Sequence, residues 1–147
     1  MILAAFALLQ GAVDPMDVTG VWYTQERESQ VEVARSEGTV RGEIIWYEGI
    51  AEERVFDREN PDPAERGREL LGLPILDGFK PGDGKWRRGT IYDPTTGKSY
   101  RSAIHRTDSD TLAVEGCVAF ICRTQEWQRV PAGEVRRPDG PMAVGER

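Results

Sequence analysis

The sequence predicts an all-β fold: an antiparallel up-and-down barrel of eight strands, with one short helix. Helical periodicity is scarce, whereas short runs of alternating apolar and polar residues recur between turn-forming Gly, Pro and Asp residues. About eight such runs lie between residues 19 and 130, and the short connections between them favour antiparallel neighbours. Closing eight strands into a barrel would pair every strand on both sides and remove the exposed edges.

The first three strands are predicted from alternation and from a turn. The run VTGVWYTQ forms the first strand, and SQVEVARS forms the second, with Val31 and Val33 on one face. Glu37 and Gly38 then make a turn before the longer strand TVRGEIIWYEG. Gly42, in the middle of that strand, indicates a bulge or a sharp bend of the kind that barrels need.

A short helix interrupts the strands and is predicted at residues 63–70. Asp62 can cap its first turn, and Pro63 suits the first helical position because it has no N–H group to leave unpaired. Glu65 completes the spacing of a capping box, and Gly72 can end the helix. The run LPILDGF then returns to strand.

Two hairpins are predicted in the second half of the chain. WRRGTIY and KSYRSAIHR flank residues 93–97, Asp-Pro-Thr-Thr-Gly, which have the chemistry of a turn. TLAVEGC and RTQEWQRV form the last hairpin, with Cys117 and Cys122 near its tip. If the residues between the cysteines form the connection, the two face each other at a distance compatible with a disulfide. Two buried thiols are the alternative.

The two ends of the chain differ from its centre. The first eleven residues, MILAAFALLQG, are uncharged and mostly apolar; they are too short to span a bilayer but match the apolar region of a signal peptide. We therefore expect residues 1–12 to be a signal peptide, truncated because no Lys or Arg precedes the apolar run. A buried first strand or helix of a cytoplasmic protein is the alternative. Residues 18–131 are predicted as the barrel domain, and residues 132–147, rich in Gly, Pro and charge, as a flexible tail.

Gly20 and Trp22 on the first strand, with Arg129 near the end of the last strand, resemble the signature of the lipocalin, or calycin, superfamily. The resemblance implies that Trp22 plugs the closed end of the barrel and that the Arg129 side chain covers its ring. Such a cation–π contact contributes about 0.5–2 kcal/mol, depending on exposure. Trp127 is expected at the same closed end.

Several blocks together resemble the domain-of-unknown-function 2147 family of small exported bacterial proteins, over residues 19–130. They are GVWYTQ, GEIIWY, NPDPAERGRELLGLPIL, WRRGTIYDPTTGKSY, TLAVEGC and CRTQEWQRV. The resemblance implies export to the periplasm or outside the cell and a calycin-like barrel. It implies no established reaction.

Composition and motifs disfavour several classes of function. The formal net charge of −6, with no basic cluster, disfavours binding to nucleic acid. His105 is the only histidine and has no catalytic motif around it, and the acidic residues of 57–62 lack the spacing of an EF-hand. Two cysteines and one distant histidine are too few ligands for a metal. We expect no enzyme, no cofactor, no metal and no membrane span.

The expected function is non-catalytic binding of a small apolar or amphipathic ligand. Trp46, Trp86 and Arg88 lie near predicted strand ends and are candidates for the mouth of the barrel, where an arginine would suit an anionic head group. Core packing is the simpler interpretation of the tryptophans. An eight-stranded barrel can hold one small ligand or be filled by side chains. The alternative function is therefore a structural or interaction protein of the cell envelope with a packed barrel, and the oligomeric state is left open.

Overall fold

Eight antiparallel strands form a closed barrel in the computed structural model of the protein, which describes residues 12–139. Each strand pairs with its neighbours along the chain, and the first strand also pairs with the last. The strands are β1 (Gly20–Tyr23), β2 (Ser29–Ser36), β3 (Thr39–Tyr47), β4 (Pro74–Pro81), β5 (Trp86–Asp93), β6 (Lys98–Arg106), β7 (Thr111–Val118) and β8 (Ile121–Arg129). The predicted eight-stranded up-and-down barrel is confirmed.

The connections between antiparallel strands fall alternately at the two ends of the barrel. The β2–β3, β4–β5 and β6–β7 connections lie at one end, the closed end. The β1–β2, β3–β4, β5–β6 and β7–β8 connections lie at the other, the open end. A residue's position along its strand therefore decides which end of the barrel its side chain reaches.

Residues 12–18 cross the closed end. The backbone oxygen of Met16 accepts a hydrogen bond of 2.8 Å from Trp86 Nε1, and that of Val18 accepts one of 3.0 Å from Trp22 Nε1. Trp86 begins β5 and Trp22 belongs to β1, so the segment reaches from one side of the barrel to another. Val18 and both indoles are buried, which makes this end part of the hydrophobic core.

The bulge predicted at Gly42 is present where β3 pairs with β4, and the register shifts on both sides of this residue. A Cβ at Gly42 would lie only 3.1 Å from the Leu76 Cβ and from the Val31 Cγ1. Neighbouring strands therefore approach so closely here that a larger residue would push them apart.

The helix predicted at residues 63–70 is a single 3-10 turn, Pro63–Glu65, and its predicted length is wrong. The cap itself is present, because Asp62 Oδ1 accepts a hydrogen bond of 3.0 Å from Ala64 N. A second 3-10 turn lies at Ala132–Glu134. Neither helix in the described part of the chain has the length and apolar character needed to cross a membrane.

Pairing within the β3–β4 connection explains the short turn. Asp57 N donates to Arg68 O over 2.9 Å, and Leu70 N donates to Val55 O over 2.9 Å. These backbone groups are bonded across the connection and cannot form the ladder of a helix. Tertiary pairing has overridden the local capping signal.

Residues 132–139 lie against the outside of the barrel, although the sequence assigns them to a flexible tail. The buried Gln30 side chain fixes them: its Nε2 donates to Glu134 O and its Oε1 accepts from Arg136 N, each over 2.9 Å. The Arg136 guanidinium lies over Trp46, 4.7 Å from the ring centroid. A buried amide must satisfy both of its polar atoms, and this segment supplies the partners. The rest of the predicted tail and the first eleven residues of the predicted signal peptide lie outside the described residues.

Candidate functional site

The open end of the barrel leads into a cavity of about 690 Å³. Small-molecule sites typically enclose ~300–1,000 Å³. Its walls come from the inner faces of the strands, and its rim comes from the β1–β2 and β5–β6 connections and from the ends of β7 and β8 at Val118 and Ile121. The barrel therefore has room for one small ligand and is not filled by its own side chains.

The deep wall of the cavity is apolar. Ile44, Val114 and Trp127 line it and are almost completely buried. Trp127 Nε1 donates a hydrogen bond of 2.9 Å to Gln125 Oε1. Because the polar atom of the indole is satisfied by the same strand, the ring presents only apolar surface to a ligand.

One cation lies on the cavity wall nearer the rim. Arg123 occupies the same face of β8 as Gln125 and Trp127, since alternate residues of a strand point the same way. Gly116 lies directly opposite it on β7, so no side chain fills the space beside the arginine. Within residues 12–139, no hydrogen bond or ion pair joins the Arg123 guanidinium to another group. Its donors are available to a ligand or to water.

Acidic side chains also reach the rim. Glu26 and Glu28 belong to the β1–β2 connection and are exposed to solvent. Asp93 is occupied within its own turn, where it accepts hydrogen bonds from Thr95 N over 2.9 Å and from Thr96 Oγ1 over 3.1 Å. The turn role that the sequence assigns to Asp93 is thus what the structure shows.

An apolar hairpin tip stands at the rim. The end of β7, the β7–β8 connection and the start of β8 expose Val118, Phe120 and Ile121, and Val118 and Ile121 also line the cavity. A disulfide joins Cys117 to Cys122, which are directly opposite each other at the base of the tip. The disulfide predicted from the sequence is therefore present, and its sulfurs offer no thiolate to a metal.

Gly20, Trp22 and Arg129, three of the residues predicted to close the barrel, lie together at the closed end. The Arg129 guanidinium lies 4.3 Å from the centroid of the Trp22 ring, and the two residues are paired across β1 and β8. Gly20 has a φ of 137°, and a Cβ there would collide with the Arg129 guanidinium. Trp127 lies two positions before Arg129 on β8, in the same half of the barrel, and its side chain contributes to the deep wall of the cavity.

The three predicted mouth residues do not line the cavity. Trp86 is fully buried at the closed end, with Arg35 5.1 Å from its ring centroid, because β5 begins at that end. Trp46 lies under the segment of residues 132–139. Arg88 is exposed with a φ of 59°, in the bulge where β5 shifts register against β6. Proximity to a strand end did not reveal which end of the barrel each residue occupies.

A buried polar network anchors the β3–β4 connection beside the cavity. Asp57 is fully buried; it accepts hydrogen bonds from Tyr92 OH over 2.6 Å, from Asn60 Nδ2 over 2.8 Å and from Arg68 Nη2 over 3.2 Å. Burial, followed by the hydrogen bond with Asp57, raises the pKa of Tyr92 to about 12. Tyr92 also lines the cavity, so the network fixes one part of its wall. Sequence reasoning missed this role and noted only a cluster of acidic residues.

His105 lies on the outer face of β6, since its neighbour Ile104 points into the core. Burial, followed by the nearby charge of Lys85, lowers the pKa of His105 below its usual value. The imidazole is therefore neutral at pH 7 and takes no part in the cavity wall.

Residues 20–129 match the model of a bacterial family described as an uncharacterized protein conserved in bacteria, DUF2147. The chain belongs to the DUF2147 family. This confirms the family that the sequence blocks indicated.

Among solved structures, this DUF2147 protein is similar to protein HP1028 from the human pathogen Helicobacter pylori, described as belonging to the lipocalin family. The two share 21% sequence identity, with a TM-score of 0.72 over 81% of this chain and 86% of that one. At this identity the likeness shows a common fold, and the lipocalin-like barrel is confirmed. The curated proteins contain no match to the chain.

Proposed function

We propose that this DUF2147 protein binds one small amphipathic molecule inside its barrel, without catalysis, in the periplasm or outside the cell. The observation that carries the proposal is the cavity of about 690 Å³, with an apolar deep wall and one cation near the rim. A packed barrel, which a purely structural protein of the envelope would have, does not match this interior.

The distribution of polarity in the cavity supports an amphipathic ligand with an anionic group. An apolar chain or ring would contact Ile44, Val114 and Trp127, whose burial gives the hydrophobic contribution to affinity. A carboxylate or phosphate at the other end would reach Arg123, whose planar guanidinium suits such groups. Arg123 and Gln125 lie on the same face of β8 as Trp127, so this strand can contact both the anionic group and the apolar part of one ligand and orient it.

The disulfide supports a location outside the cytoplasm. Disulfides persist in oxidising compartments such as the periplasm and are rare where thiols are kept reduced. The Cys117–Cys122 bridge therefore suits an exported protein.

Filling the cavity tests the proposal. Gly116 lies on the cavity wall, and a Cβ there would make ordinary contacts of 3.7 Å with Ile91 Cγ2 and 3.9 Å with Tyr100 Cβ. Gly116→Leu should therefore fold and occupy part of the space. Calorimetric titration should show dodecanoate binding to the wild-type protein and binding at least about tenfold more weakly to this variant, since the added side chain takes space that several methylene groups of the ligand would fill.

Thr124→Leu is the matched control. Thr124 lies next to Arg123 on β8 and points to the outer face of the barrel, so the same side chain is added outside the cavity. This variant should bind dodecanoate as the wild type does. If no amphipathic probe of either charge binds the wild-type protein, or if both variants bind equally well, the proposed function is wrong.

A further inference from the structure

Exposed apolar side chains are concentrated at the tip of the β7–β8 hairpin, residues 118–121. Phe120 is fully exposed, and Val118 and Ile121 are 60% and 70% exposed. Within residues 12–139, only one other large hydrophobic residue is exposed, Val55 at 39%. Single exposed apolar residues are ordinary on protein surfaces, whereas a contiguous cluster indicates an interaction site.

The backbone of the tip is held in place by two contacts. The Cys117–Cys122 disulfide ties its two strands together at the base. The Arg101 guanidinium donates a hydrogen bond to the Ala119 backbone oxygen, which fixes the turn itself. Phe120 is thus presented to solvent on a constrained hairpin, and an apolar partner could bind it without first having to order the chain.

The tip is continuous with the cavity. Val118 and Ile121 contribute both to the exposed tip and to the cavity wall, on the inner face of the last two strands. An apolar chain moving along these side chains would pass from the surface of the protein into the barrel with little exposure to water. The tip therefore lies where a ligand of the kind proposed above has to enter.

The charges next to the tip suit phosphate head groups. The four residues of the tip are uncharged, but Arg101 lies opposite Cys117, and Lys98 and Arg123 lie on the strands that flank β7. The chain as a whole carries a net charge of −6, and acidic residues are also near, with Glu115 beside Cys117 and Glu26 and Glu28 on the β1–β2 connection. The basic groups next to the tip are therefore a local feature of the β6 side, Lys98 and Arg101, with Arg123 on the inner face of β8. Cations beside an inserted apolar tip are placed to contact lipid phosphates at the membrane surface.

A lipid surface fits the tip better than a protein does. A standard protein–protein interface buries ~800 Å² on each partner and has a broad polar rim. Here the apolar surface is three side chains on one narrow projection. Such a shape is suited to insertion between head groups, where each apolar side chain gains from burial without a matched surface.

We infer that the tip of residues 118–121 inserts into the surface of a lipid bilayer and brings the cavity mouth to the membrane from which the amphipathic ligand is taken. The uptake of a ligand from the membrane rests on the proposed function. The docking step depends only on the tip, however, and can be measured without any ligand.

Flotation with vesicles tests the docking step. The full chain is mixed with vesicles of equal parts phosphatidylcholine and phosphatidylglycerol, and the fraction of protein that floats is measured. Phe120→Ser should lower the partition coefficient about tenfold, because a fully exposed phenyl ring no longer enters the bilayer. Val55→Ser removes the exposed hydrophobic residue away from the tip and should float as the wild type does. Circular dichroism should show both variants folded, since both side chains are exposed.

A parallel measurement separates this inference from the proposed function. Phe120→Ser should still bind dodecanoate in solution but should take it from preloaded vesicles more slowly than the wild type. A wild-type protein that does not float, or equal flotation of Phe120→Ser and Val55→Ser, overturns membrane docking even if dodecanoate binds. Tip-dependent flotation with no dodecanoate binding leaves docking in place and overturns the proposed function. Capture of a protein through the tip, without flotation, assigns the surface to a protein partner instead.

Discussion

At the scale of single residues, the setting of Arg123 determines the selectivity we expect of the cavity. The side chain lies on the wall, opposite a glycine, and makes no ion pair among the described residues. A guanidinium in this position gains new hydrogen bonds when an anion arrives, with no existing partner to displace. Hydrogen bonds to charged groups contribute about 1.5–3 kcal/mol, which corresponds to about one to two orders of magnitude in affinity.

Arg123→Gln should therefore bind dodecanoate about tenfold to a hundredfold more weakly than the wild type. Dodecyltrimethylammonium, which has the same chain and the opposite charge, should bind this variant no worse than the wild type. Arg123→Lys keeps the charge without the planar group, so its affinity for dodecanoate should lie between those of the wild type and Arg123→Gln. Calorimetric titration of both probes gives the comparison, and equal losses for both would mean that the arginine acts through packing and not through charge.

Residue identities alone did not reveal this arginine. Its signal in the sequence was a glycine inside the strand TLAVEGC, since glycine in a strand often marks a close approach or an open space. Which residue lies opposite that glycine depends on the register of the last hairpin. The register follows from pairing Cys117 with Cys122, which places Gly116 opposite Arg123.

At the scale of elements, the hairpin of β7 and β8 combines a disulfide with an apolar tip. The disulfide closes a short loop with a sequence separation of 5, so its effect on the entropy of the unfolded chain is small for a disulfide, about 2 kcal/mol. The bridge lies where the hairpin extends beyond its other neighbours, because β8 pairs with β1 only at Gln128 and Arg129 and the pairing of β6 with β7 ends at Cys117.

Replacement of both Cys117 and Cys122 by Ser should lower the free energy of unfolding by about 2 kcal/mol in urea titrations. Dithiothreitol should lower the stability of the wild-type protein by the same amount and leave the variant unchanged. Backbone amides of the tip should exchange faster with deuterium in the variant, while those of β2 and β3 should not. A fall in stability that dithiothreitol does not reproduce would show that the serines act through something other than the lost bridge.

The elements also show where local sequence signals fail. Alternation and turn residues identified the strands because both arise from neighbours within a few positions. The helix at residues 63–70 was overestimated because Arg68 and Leu70 bond backbone groups more than ten positions away. The docked segment of residues 132–139 depends on a buried glutamine in β2, and nothing in its own Gly- and Pro-rich composition indicates that contact.

At the scale of the whole molecule, closure of the barrel depends on the short pairing of β1 with β8, which we call the seam. Only two residue pairs join β1 to β8, Trp22 with Arg129 and Tyr23 with Gln128. The Arg129 side chain reinforces this seam, because it covers the indole of Trp22 and its Nε donates to Ser109 O over 3.0 Å. The resemblance to lipocalins indicated this pairing from three residues at the two ends of the domain.

Arg129→Ala should lower the free energy of unfolding by about 1–3 kcal/mol, since it removes a cation–π contact and a hydrogen bond. Arg41→Ala is the control: it removes an exposed ion pair with Glu43 and should change stability by less than about 0.5 kcal/mol. Urea unfolding of the three proteins measures both differences. A loss no greater for Arg129→Ala than for Arg41→Ala would show that the seam is held by backbone pairing alone.

The fold was predictable to the level of strand number, order and closure, while the location of each tryptophan was not. Trp86 lies at the closed end instead of the expected mouth, because the choice between the two barrel ends depends on counting every connection between the strands. One strand too many or too few in that count would move a residue to the opposite end of the barrel. The interior cavity likewise depends on the summed volumes of side chains from all strands, which no local pattern contains.

The segment at residues 12–18 blocks the far side of the barrel with Val18 and the indoles of Trp22 and Trp86. A molecule that went in tail first, leaving its charged head beside Arg123, would have to come out head first along the path it took. The ligand would then enter and leave through the same opening, and an acceptor would contact its charged group before its hydrocarbon chain.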